Sequence, residues 1–137
     1  MFRTLDISAS GLAAQRLRMD TIAGNIANSH TTQNEDGKVE PFQRRLVVLQ
    51  AQPDSSGHEG QGMGVTAEVD IDKKTPPRLV HAPGHPHADA NGNVAYPNVN
   101  VITEFVNAME ATRAYEANLT AMQMTREMIE GTFKILG

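Results

Sequence analysis

Two apolar lines run down the last third of the chain. Val101, Ala108, Tyr115, Met122, Ile129 and Leu136 recur every seven residues, and Phe105, Thr112, Leu119, Arg126 and Phe133 form a second line at the same spacing. All six residues of the first line and three of the five of the second are apolar. A 3-4 alternation kept up for about five heptads predicts a long coiled-coil-like helix rather than the stripe of a globular one. At ~1.5 Å per residue, residues 101–133 would reach about 50 Å. Asn100 is placed to cap the helix, and Glu104 lies near its positive end, where a carboxylate is favoured. Pro97, just upstream, cannot join the helix interior. Gly131 weakens the last turns by roughly 1 kcal/mol relative to Ala.

The first 30 residues predict a second helix, over 4–27. Leu5, Leu12, Met19 and Ile26 recur every seven residues, with Ile22 between the last two. Ser8 and Gln15 stand at the matching earlier positions and leave the seam imperfect. Ala9, Ser10, Gly11, Ala13, Ala14, Ala23, Gly24 and Ala27 are small enough to let another helix approach closely.

Between the helices the period changes. Every proline lies between Pro41 and Pro97, so both ends are proline-free around a turn-rich middle. "FQRRLVVLQA" (42–51) and "GVTAEVDID" (64–72) are β-prone, and the second alternates through Val65, Ala67, Val69 and Ile71. "PPRLVH" predicts a third strand and "VAY", after the turn-forming "NGN", a fourth. Residues 53–64 read as a polar, glycine-rich loop. The expected fold is therefore mainly α with a small β unit (α+β). An N-terminal helix in 1–30 and a C-terminal helix in 99–137 form a coiled-coil-like pair around a short-stranded segment, 31–98.

Composition limits what these elements can do. The net charge is −4, from 12 basic and 16 acidic residues without a like-charge block, which argues against a general nucleic-acid binder. Cysteine is absent, which removes disulfides, thiolate catalysis and Cys-based zinc sites. Tryptophan is absent and aromatic residues make up 4%, too few for a large self-contained core. A long helical seam then needs a partner helix. The reading favoured here is that both ends bury their seams against other subunits and order on assembly. The alternative is a two-helix hairpin within one chain. The expected interface comprises Leu5, Leu12, Met19, Ile22 and Ile26, with Val101, Phe105, Ala108, Tyr115, Leu119, Met122, Ile129 and Phe133. No apolar run spans a bilayer, and the first residues lack a signal-peptide core. The expectation is a soluble chain, or one that leaves the cell without a cleaved signal.

Candidate chemistry is thin. His81, His85, His87 and Asp89 fall within nine residues, but Pro83 and Pro86 interrupt the run, so His81 and His85 cannot share a helix face. The stretch reads as a shaped turn built by Asp89, Asn91 and Gly92, in which prolines and glycine outweigh histidines. Gly60, Gly62 and Gly64 lack the lysine and following helix of a phosphate loop. Arg44 and Arg45 read as the polar face of a strand near Glu40 or Glu68; contact with lipid phosphate or peptidoglycan acids is the alternative. Gln15 and Arg126 are candidates for fixing helix register. No nucleophilic triad can be ordered. The sequence thus assigns no catalytic, cofactor or metal residues, and the expectation is a protein that is not an enzyme.

Two stretches carry a family resemblance. "DTIAGNIANSHTT" (20–32), with Asn25, Ala27 and Asn28, resembles the N-terminal motif shared by the rod, hook and hook-associated axial proteins of the bacterial flagellum. "PGHPHADANGNVAYPNVNVITEFVNAMEATRAYEANLTAM" (83–122) resembles the proximal rod proteins among them. There a "PG-x-P-x-AD-x-NG" turn precedes "PNV" and a long helix, matched here by Pro83, Gly84, Pro86, Ala88, Asp89, Asn91, Gly92, Pro97, Asn98 and Val99. Asn93 stands where tyrosine is usual, Thr112 where serine is common, and His30 where Asn or an Asp-like residue is more frequent. The resemblance implies a structural role. Such proteins are exported unfolded by the flagellar type III apparatus and assemble helically with copies of themselves and other rod proteins. Their terminal helices form the inner tube of a torque-transmitting rod that lines the export channel, crosses the periplasm and passes near peptidoglycan. Another rod or hook protein, or a soluble coiled-coil adaptor, is the alternative.

Overall fold

The computed structural model describes residues 2–34, 36–52 and 64–136. In chain order it contains α1 (Phe2–Ala27), β1 (Arg45–Ala51), β2 (Val65–Ile71), β3 (Arg78–His81), β4 (Asn93–Tyr96) and α2 (Val101–Leu136). β1 pairs with β2, and β3 with β4, as two separate two-stranded sheets. The fold is mainly helical with a small β unit, as the proline-free ends and turn-rich middle imply. Most of the expected glycine loop, including Gly60 and Gly62, lies outside the described residues.

The helix ends are set locally. At the end of α1 the Asn28 side-chain amide donates to the Gly24 carbonyl (2.9 Å) and the Ser29 hydroxyl to the Ile26 carbonyl (2.8 Å), taking up acceptors the helix cannot satisfy itself. At the start of α2, Asn100 Oδ1 accepts from the amides of Ile102 (3.0 Å) and Thr103 (3.2 Å), the expected N-cap.

The chain divides into two compact units. One comprises Asp20–Leu46 and Val69–Ala108. Its buried residues include Ile22, Val94 and Pro97, joined by the polar Asn25, Ser29, Thr32 and Glu104. The other comprises Met1–Met19, Val47–Glu68 and Met109–Gly137. There Gly11 faces Asn118, Arg18 bonds Glu110 (3.1 Å), and the Thr112 hydroxyl lies 3.6 Å from the Met19 sulfur. Numbers rise along α1 as they fall along α2, so these helix segments run antiparallel. They approach closely: a Cβ added to Gly11 would sit 3.0 Å from Asn118 Nδ2. Packing between two helices of one chain, the alternative to purely intersubunit burial, is thus present.

The seam of α2 differs from its expected form in one line. Val101, Ala108, Tyr115, Met122 and Ile129 are half-buried. Between them, however, the covered positions are Glu104, Ala111, Asn118 and Thr125, one residue before the apolar line expected at Phe105, Thr112, Leu119 and Arg126. Phe105 is 57% exposed, Leu119 40% and Phe133 68%. Close approach explains the shift. Where backbones come together, small or hydrogen-bonding side chains fit and large apolar ones do not. Arg126 is likewise exposed and pairs with Glu130 one turn on (2.9 Å), a contact worth about 0.3–0.5 kcal/mol. In the seam of α1, Gln15 Oε1 is buried without a hydrogen-bond partner.

Gly131 has no atom within 4 Å of an added Cβ. Gly131→Ala is therefore expected to stabilise the chain by about 0.5–1 kcal/mol in urea unfolding. A destabilisation would show that this turn of α2 is not helical in solution.

Candidate functional site

The most constrained polar group in the described structure is the Glu104 carboxylate, 1% exposed. It sits in the first turn of α2, where the helix dipole favours an anion. Its Oε1 accepts from Arg44 Nε (2.8 Å) and Nη2 (2.5 Å), and its Oε2 from Asn25 Nδ2 (3.3 Å). Asn25, itself buried, pairs with the backbone of Arg45 at two points: Nδ2 donates to the Arg45 carbonyl (2.8 Å) and Oδ1 accepts from the Arg45 amide (2.9 Å). One side chain thus mimics a strand partner for the start of β1 and also holds the helix carboxylate.

This three-residue lock ties the end of α1, the start of β1 and the start of α2 together within one unit. A buried carboxylate persists only when charge and hydrogen bonds offset its desolvation, and both are supplied here. Arg45 opens β1 as an exposed strand residue, as expected, but the expected acidic neighbours are corrected. Arg44 pairs with Glu104, 60 residues away. Arg45 lies over the Phe42 ring, 5.4 Å from its centroid. Glu40 accepts instead from Asn34 (3.1 Å).

The second constrained feature is the link from β3 to β4. The strands pair antiparallel, Arg78 opposite Tyr96 and His81 opposite Asn93. Asp89 Oδ1 accepts from the amides of Asn91 and Asn93 (both 2.8 Å), and the Gly92 amide donates to the Asp89 carbonyl (2.9 Å). Gly92 has φ +76°, and a Cβ there would lie 3.1 Å from both His81 and Pro83. Asp89, Asn91 and Gly92 are therefore the turn formers. Gly84 has no such requirement, with open space around it. Beyond the turn, buried Pro97 precedes Asn98, Val99 and the Asn100 cap.

Each of the three histidines has a ring nitrogen in a hydrogen bond. His81 Nδ1 is 3.2 Å from Asn93 Oδ1, His85 Nδ1 accepts from the His87 amide (3.1 Å), and His87 Nδ1 is 2.9 Å from the hydroxyl of buried Thr32. The last contact ties the turn to the segment after α1, a role the sequence pattern does not show. Among the described residues no group of three His, Asp or Glu side chains is placed to hold a metal ion, and no helix is long and apolar enough to cross a membrane.

Of the expected interface residues, Phe105, Leu119 and Phe133 are exposed, Ile22 is buried, and Leu5, Leu12, Met19, Ile26, Val101, Ala108, Tyr115, Met122 and Ile129 are half-buried. The motif residues converge on the lock and the turn: Asn25 in the lock, Ala27 ending α1, Asn28 capping it, and 83–99 shaping the approach to α2.

Two protein families match these same stretches. Residues 5–33 match the model for the flagella basal body rod protein, and residues 90–133 that for the flagellar basal body rod FlgEFG protein C-terminal region. The class is that of flagellar rod proteins. Among curated relatives, the flagellar basal-body rod proteins FlgC of Bacillus subtilis and Salmonella typhimurium are each 37% identical, across 98% of this chain and 97% of the relative. FlgC of Aquifex aeolicus is 38% identical across 98% and 96%. The chain belongs to the FlgC family of flagellar basal-body rod proteins, structural components of the basal body that associate with other rod components.

Proposed function

We propose that this chain builds the proximal rod by helical assembly, with the outward side of α2 covered by neighbouring subunits. The observation that carries this reading is the character of that side. In the first unit Ile102 (76% exposed) and Val106 lie on the opposite side of α2 from Glu104, and exposed Phe105 lies about 100° round from it; in the second, Met109, Leu119, Met124, Met128 and Phe133 are exposed. A helix that already presents one side to α1 and leaves large apolar residues on others is built for more than one neighbour. Methionines suit contacts with non-identical neighbours, because their side chains adapt. Phe105, Leu119 and Phe133 are the outward part of the expected interface. The half-buried residues would add their remaining surface. A contact that repeats without closing generates a filament.

On this reading the chain travels through the flagellar type III apparatus without a cleaved signal and reaches the rod in the periplasmic space, near peptidoglycan. There it forms part of the channel wall and transmits torque. Phe105→Asp and Leu119→Asp are expected to fold and be exported at normal levels, since both positions are exposed in the single chain. A charge buried without a partner at an interface costs several kcal/mol, so rod content should fall roughly 10-fold or more. Counting the protein in purified basal bodies tests this; normal rod content with normal swimming would refute the interface.

A further inference from the structure

The turn that joins β3 to β4 contains Asn91–Gly92, and no other asparagine of the chain precedes a glycine. That dipeptide has a chemistry of its own. The glycine amide nitrogen can attack the side-chain carbonyl carbon of the asparagine, because no Cβ on the following residue blocks the approach. A bond from the Gly92 nitrogen to Asn91 Cγ forms, the bond from Cγ to Nδ2 breaks, and ammonia leaves with the proton that the Gly92 nitrogen gives up. Water then opens the five-membered imide at either carbonyl and leaves aspartate or isoaspartate at position 91. The turn cannot escape this by changing its glycine. Gly92 has φ +76°, and a Cβ there would lie 3.1 Å from both His81 Cε1 and Pro83 Cβ.

What the folded turn controls is the nucleophile. The Gly92 amide donates to the Asp89 carbonyl (2.9 Å), and the Gly92 carbonyl accepts from the Ala82 amide (2.9 Å). On either side of Gly92, Asp89 Oδ1 accepts from the amides of Asn91 and Asn93 (both 2.8 Å). To react, the Gly92 nitrogen must give up its proton and swing toward Cγ, and these bonds oppose that movement. Asn91 itself is exposed, so water reaches it and burial offers no protection. We infer that Asn91 is a spontaneous deamidation site gated by folding. It is held off in the closed turn, where reaction waits for local opening, and reacts freely whenever the chain is unfolded. A chain kept unfolded for export, on the reading proposed above, gathers this change; an assembled one does not. The isoaspartyl product inserts a methylene into the main chain between the Asn91 and Asn93 amides and adds a carboxylate two residues from Asp89. Asp89 Oδ1 then no longer holds both amides, and the turn before α2 loosens.

The test ages the full chain at neutral pH, once in buffer and once in guanidinium chloride. Peptide mass spectrometry counts aspartate and isoaspartate formed at each asparagine. Expected are conversion of Asn91 ahead of every other asparagine in guanidinium chloride, and a rate roughly 10-fold or more lower in buffer. Asp89→Ala removes the acceptor of two turn amides and should raise the rate in buffer roughly 3-fold or more. Asp89→Asn keeps an Oδ1 acceptor and should stay near the parent rate. Far-UV circular dichroism reports whether each variant folds; if Asp89→Ala does not, the two parent rates decide. Equal parent rates in buffer and guanidinium chloride would overturn the proposal. So would faster loss at another asparagine in the unfolded chain, or a folded Asp89→Ala that ages no faster than Asp89→Asn. Chain aged in guanidinium chloride and refolded should also exchange its Asn93 amide hydrogen faster than fresh chain; unchanged exchange would overturn the loosening of the turn. Neither export nor rod assembly enters these readouts, so failure here leaves the helical interface standing.

Discussion

Replacing Glu104 by Ala is expected to destabilise the chain by about 3 kcal/mol, the largest loss of any single side-chain truncation proposed here. Its carboxylate is 1% exposed and accepts from Arg44 twice and from Asn25 once. Removing it strands the Arg44 guanidinium and one Asn25 N–H, and a broken buried pair costs about 3–5 kcal/mol. The lower figure applies because Arg44 is one quarter exposed and can turn toward water. Glu104→Gln should cost less. The Gln carbonyl can still accept from Arg44, while its amide meets the Asn25 amide, donor against donor. Replacing both Glu104 and Arg44 by Met should recover much of the loss, since apolar packing of similar volume often equals a buried pair. Urea unfolding of the three variants checks the series. A Glu104→Ala loss below about 0.5 kcal/mol would mean that the lock does not form, because surface substitutions alone fall in that range.

Gly64→Ala is expected to cost about 2–3 kcal/mol, for two separable reasons. Gly64 has φ +133°, which side-chain-bearing residues rarely adopt, and an added Cβ would lie 2.5 Å from Ser10 Oγ and 3.1 Å from Ser10 Cβ. The hydroxyl cannot simply turn away. It donates to the Ile7 carbonyl (2.7 Å) and accepts from the Val65 amide (3.0 Å), clamping the start of β2 to α1. Ser10→Ala alone should cost about 1 kcal/mol through the lost bonds. The double variant should cost less than the sum, because removing Oγ relieves the closest clash while the backbone strain stays. Strict additivity in the unfolding free energies would contradict this contact.

These two sites show where sequence pattern stops. The proline-free ends, the Asn100 cap and the Asp89–Gly92 turn follow from short-range rules and are found in place. The heptad line through Val101, Ala108 and Tyr115 is also legible. Its companion was displaced by one residue because apolar periodicity selects the largest side chains, here Phe105, Leu119 and Phe133, whereas close helix packing selects Ala111, Asn118 and Thr125. The apolar line is the outward one, the side available to neighbours. The Arg44–Glu104 pair had no local signal: its partners are 60 residues apart, and the only hint was a carboxylate on the covered side of a helix. Gly64 looked like one glycine of a loop, since its conformation depends on Ser10, far off in sequence.

The central claim is that the outward side of α2 is covered in the rod. The chain has no cysteine, so Phe105→Cys introduces a single reactive thiol at a position exposed in the isolated chain. The direct measurement is maleimide labelling of that thiol in the purified exported chain and in intact basal bodies. The account predicts rapid, complete labelling of the free chain and strong protection in the basal body, lost when the rod is dissociated. Equal labelling in the intact rod would contradict it.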